Sequence, residues 1–103
     1  MEPILVKVDP DLEDLIPGFL DNRRADVEKL HELVSARNFA DIRIIGHSMK
    51  GAGGGYGFDA ITDIGAAIED AALASDDATI ITQTEILADY LARVEPVPDP
   101  DFD

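Results

Sequence analysis

His47 and Lys50 stand one helical turn apart in the stretch Gly46-His47-Ser48-Met49-Lys50-Gly51, a pairing suited to handling a phosphoryl group. A neutral imidazole, with an ordinary pKa of about 6.5, offers a free lone pair near neutral pH and can attack phosphorus without a dedicated base. An ammonium one turn on offsets charge on the phosphoryl oxygens as they transfer. Arg43, one turn back, adds a second cation. Gly51 and Gly54 carry no side chain, so a partner's loops can approach the imidazole closely enough for an in-line transfer.

These residues act together only if one element holds them on one face. Ile42, Ile45, Met49 and Ala52 recur at steps of three, four and three, the spacing of one helical stripe. On a wheel of about 100° per residue that stripe lies about 140° to 160° from His47. Arg43, Lys50, Gly51 and Gly54 lie within about 60° of it. The apolar stripe must face a core, so His47 faces water.

The remaining segments supply that core. Asp9-Pro10 signals a helix start, with Asp11, Glu13 and Asp14 near its positive end and Leu12, Leu15 and Ile16 as its inner stripe. Pro17-Gly18 interrupts this short helix. A longer one follows through Leu20, Val27, Leu30 and Val34 to about Arg37, with Asn38 as the break. The helix bearing His47 begins near Phe39 and ends or bends in the glycines from Gly51 to Gly57. Ile61, Ile64, Ile68 and Ala71 mark the next helix, Ser75-Asp76-Asp77 a turn and cap, and Ile80, Thr84, Leu87, Leu91 and Val94 the last. The pattern predicts an all-α, antiparallel up-down four-helix bundle over residues 9–95, with a short extra N-terminal helix. Residues 1–8 form an extension. The proline- and aspartate-rich residues 96–103 lack apolar periodicity and read as a disordered tail.

Composition narrows the function. A chain of 103 residues has room for one domain and none for a separate nucleotide-binding catalytic domain. No apolar run approaches the ~20 residues needed to span a bilayer, and the N-terminus lacks the features of an export signal, so a cytoplasmic location is expected. With 22 acidic against 8 basic residues and a net charge of −14, the surface repels nucleic acid and anionic lipid. A protein partner with a basic or apolar face fits better. The absence of cysteine excludes disulfides and thiolate chemistry. Gly55-x-Gly57-x-x-Ala60 lacks the preceding strand a dinucleotide fingerprint needs, and Asp9-Pro10-Asp11 and Asp99-Pro100-Asp101 lack a calcium loop's full ligand set. Two histidines far apart do not make a zinc site, and no cofactor is expected.

His47-Ser48-Met49-Lys50-Gly51, with Gly54 and Gly57, resembles the H-x-x-K-G-(x)n-G signature of histidine-containing phosphotransfer domains. Ile61 and the Ile68-Glu69 pair resemble apolar and apolar-Glu positions that follow in that family, and the resemblance runs from about Asp9 to Val94. It departs at Gly46, where a small alanine is usual, and in the glycine-rich Gly53-Gly54-Gly55. The resemblance implies a bundle without autonomous kinase or phosphatase activity. Such a domain takes a phosphoryl group on His47 from a receiver-domain aspartate or a histidine kinase and passes it to a response-regulator receiver, with Lys50 and Gly51 in support. Mg²⁺ would sit on the receiver. A docking module with His47 unphosphorylated is the alternative, and a monomer is the simplest state. His31-Glu32-Leu33 resembles the start of the phosphoacceptor box of histidine kinases, but Ala36 replaces its proline, so His31 is expected on a solvated helix face.

Overall fold

The computed structural model describes residues 2–101. Four helices carry the fold: α1 (Ile16–Ser35), α2 (Phe39–Gly53), α3 (Asp59–Leu73) and α4 (Asp77–Arg93). Short loops make successive helices antiparallel neighbours, and α1 also packs against α4, closing the bundle. This is the predicted four-helix architecture. The core holds Leu20 and Leu30 of α1, Ile42 and Met49 of α2, Ile61, Ile64 and Ile68 of α3, and Ile80, Leu87 and Leu91 of α4. Those are the apolar stripes at helical spacing, and their removal from water is the main force holding the bundle together.

Local signals set the element ends. Asp9 accepts from the Asp11 N–H at 2.9 Å, but the segment it starts, Pro10–Leu15, is a 3-10 turn and not an α-helix. Leu15, expected inside, is exposed, because three residues per turn do not keep an α-helical stripe on one side. Pro17 lies in the first turn of α1, where its missing N–H costs nothing, so it begins the long helix there. Asn38 and Asp76 cap α2 and α4 by accepting from the Asp41 and Thr79 N–H groups. The glycines do not stop α2 at Gly51; it continues to Gly53, and a 3-10 turn, Gly54–Tyr56, follows. Gly57 then adopts φ 92°, a left-handed conformation that glycine takes without strain.

The chain ends depart from expectation. Ile4–Val8 forms strand β1, which pairs in parallel with β2 (Val94–Pro98) in a two-stranded sheet, Ile4 opposite Val94 and Val8 opposite Pro98. Val94, expected on the last helix, and residues 96–98, expected in a disordered tail, therefore belong to a strand. Of the remaining tail, Asp99 to Asp101 lie among the described residues and Phe102 and Asp103 outside them. Val8 is wholly buried and Val94 nearly so, so burial of two valines accompanies the pairing. Pro96 and Pro98 are tolerated in this strand because they sit on the sheet's edge.

Candidate phosphoryl-handling site on α2 and α3

His47 projects from the middle of α2 with its side chain 72% exposed, on the side opposite buried Ile42 and Met49. Its Nδ1 lies 2.8 Å from Oε2 of Glu69 on α3. The other oxygen, Oε1, accepts from Lys50 Nζ at 3.3 Å. Glu69 thus bridges the imidazole and the ammonium, with its own side chain only 12% exposed.

The position of Glu69 follows from two glycines. A Cβ on Gly46 would come within 2.7 Å of the Glu69 backbone N, and one on Gly65 within 2.5 Å of the Lys50 backbone N. Only hydrogen fits at either place, so α2 and α3 approach backbone to backbone. Ile68, wholly buried beside Glu69, anchors that turn of α3 in the core. With the helices this close, a short carboxylate reaches both partners on α2.

The electrostatics are consistent with that arrangement. The His47 hydrogen bond, aided by Lys50, lowers the Glu69 carboxyl below its ordinary value against the opposing effect of burial. Glu69 is therefore ionised at neutral pH and can only accept. Nδ1 of a neutral His47 must then carry the proton, which places the lone pair on Nε2. Both oxygens of Glu69 are used, one by the His47 ring N–H and the other by the Lys50 ammonium.

Gly51 lies beside this cluster with open space where a Cβ would be. Gly54 stands just past the end of α2, where Thr62 Oγ1 accepts its N–H at 2.7 Å and donates to the Lys50 carbonyl at 3.1 Å. Thr62 thereby ties off the last turn beneath Lys50. Gly54 is exposed, but a Cβ on it would touch Thr62 and Asp59, so it is less bare than Gly51. Arg43 is exposed and is in no ion pair among the described residues. His31 is exposed on α1, apart from this cluster, as expected. Among the described residues no cluster of three or more metal-ligating side chains is present, and no helix is long and apolar enough to cross a membrane.

Two features escaped the reading from spacing. Glu69 entered only as a family-like position, because nothing local on α3 says that it faces an imidazole 22 residues away. Ile44, 59% exposed, also went unremarked, although it lies one turn before His47 and about 60° from it on the wheel. A large aliphatic in water beside a reactive group was the available signal.

The sequence model of the family described as Hpt domain matches residues 14–95. No curated protein and no solved structure matches the chain.

Proposed function

The chain belongs to the Hpt domain family, the histidine phosphotransfer modules of phosphorelays, and from that premise we propose that it carries a phosphoryl group on His47. The donor is a receiver-domain aspartyl phosphate or a histidine kinase, and the acceptor is the receiver of a response regulator. The observation that carries this reading is the Nδ1 contact with Glu69 at 2.8 Å. It turns the Nε2 lone pair to the exposed side of α2, where an incoming phosphorus can meet it in line.

Transfer from a receiver breaks the bond between phosphorus and the aspartate oxygen, and the carboxylate leaves. The Nε2 lone pair forms the new N–P bond. The ring then gains positive charge while retaining its Nδ1 proton, and the Glu69 carboxylate stabilises that charge through the hydrogen bond it already makes. Lys50 lies against the equatorial oxygens of the group, and Arg43 lends a second positive charge to the approach. Mg²⁺ belongs to the receiver, whose acidic pocket supplies most of the transition-state stabilisation.

Docking rests on shape and on apolar contact. Gly51 leaves the helix low beside the imidazole, with Gly54 at the margin of that face. Ile44 flanks His47 on α2, and Leu73, 67% exposed, lies one turn beyond Glu69 on α3. Both aliphatics leave water when a receiver covers the face.

Intact mass and phosphorus NMR after incubation with a panel of phosphorylated receiver domains test the reading, beside a His47→Gln control. An acid-labile, base-stable label absent from the control supports it. Binding of a receiver without any label would instead assign the domain to docking alone.

A further inference from the structure

The two outer edges of the β1–β2 sheet differ in kind. The Val8 carbonyl accepts from the Asp99 N–H at 3.0 Å, and Val8 stands opposite Pro98. In a parallel pair, alternate residues of a strand turn both backbone groups to the same neighbour. Ile4, Val6 and Val8 therefore face β2, while Leu5 and Lys7 turn their N–H and C=O groups outward. On β2 the outward positions are Pro96 and Pro98, which have no N–H to offer. Proline thus blunts one edge in the usual way of protecting a sheet. The β1 edge keeps both of its donors.

That open edge borders a groove. Its lining includes every residue from Ile4 to Lys7 and, across from them, Gly54, Gly57, Asp59 and Tyr90. Residues from both faces of β1 contribute and none from β2, so the groove runs along the strand's edge. Gly54 and Gly57 present backbone alone, leaving width for a further chain. Leu5, 66% exposed, stands over one side. A sheet of two strands is marginal, and a third adds a full ladder of hydrogen bonds.

We propose that the free edge of β1 binds an extended segment of a partner protein, added as a third strand, with a basic side chain of that segment set against Asp59. Charge selects this occupant. Asp59 is the acidic side chain in the groove, the Lys7 ammonium that also lines it is paired with Asp99 at 3.9 Å, and the chain as a whole carries a net charge of −14, which attracts a cationic segment and repels a second copy of itself. Backbone pairing supplies affinity and the side chains supply choice, as in other cases of strand addition. The site uses neither His47 nor Lys50, and it borders the phosphotransfer face at Gly54.

The test uses the full chain and a capped ten-residue peptide of alternating valine and lysine, followed by amide NMR and hydrogen exchange. Binding should slow exchange of the Leu5 and Lys7 amides. Methylating the peptide nitrogens that face β1 keeps the charge but removes the donors, and should weaken binding about tenfold or more, as loss of hydrogen bonds worth about 1.4 kcal/mol requires. Lys7→Pro should do the same while sparing the β1–β2 ladder, whose β1 donors are Ile4, Val6 and Val8. Equal binding of the methylated peptide, protection confined to the His47 face, no binding at millimolar peptide, or a dimer that protects the same amides without peptide would each overturn the proposal.

Discussion

Gly46 and Gly65 meet backbone to backbone across α2 and α3: a Cβ on Gly46 would lie 2.9 Å from the Gly65 carbonyl oxygen, and one on Gly65 would lie 2.7 Å from that of Gly46. This contact sets the helix spacing at which Glu69 reaches His47. Gly65→Ala should push the helices apart and cost about 1–3 kcal/mol of stability, the range of an overpacked core site. Urea denaturation measures that loss, and the rate of phosphoryl transfer should fall with it as Glu69 is displaced. An unchanged rate in a destabilised variant would separate the helix spacing from the chemistry.

Glu69→Gln removes the carboxylate but keeps the side chain's shape. Its effect on transfer is expected to be about tenfold or more, given that a hydrogen bond to a charged group contributes about 1.5–3 kcal/mol. Stability should also lose part of its pH dependence. The folded state lowers the Glu69 pKa from an ordinary value of 4.5, so its contribution is complete above that value and fades as pH falls through the lowered one. Wild type and Glu69→Gln should therefore differ most near neutrality and converge in acid, as read by denaturation at a series of pH values.

Lys50→Ala should cost no more than about 1 kcal/mol of stability, because the ammonium is half-exposed and Glu69 keeps its His47 contact. Transfer should slow, or the phosphorylated protein should lose its label sooner, when a label chase is followed by mass spectrometry. If neither changes, the ammonium serves only to keep Glu69 company.

Gly51 separates helix propensity from docking. Its Cβ position is open, so Gly51→Ala should stabilise the helix by about 0.5–1 kcal/mol with near-normal transfer. Gly51→Leu should fold as well but transfer slowly, through exclusion of the receiver. Normal rates for Gly51→Leu would show that partners approach from another direction.

The direction of His47 was legible because it depends on its own helix alone. Ile42 and Met49 recur at helical spacing and are buried, which leaves the imidazole on the far side whatever the other helices do. The cap at Asp76 and the break at Asn38 were readable for the same reason, as each side chain satisfies a donor within three residues of itself. Gly46 stood out only as a departure from the family's usual alanine, and its reason lies in Glu69 and Gly65 on another helix. Pro96 and Pro98 read as part of a disordered tail, and only the pairing with β1 shows that those residues sit where no donor is needed.

By itself, then, the sequence determined the four amphipathic helices and the exposure of the imidazole with its lysine one turn away, since apolar periodicity acts over a few residues. Tertiary structure decided which carboxylate meets His47 and that the two ends of the chain pair in parallel. Both depend on the register between segments 22 residues apart in one case and on β1 lying beside β2 in the other. Register is set by how whole surfaces pack, which no local spacing encodes.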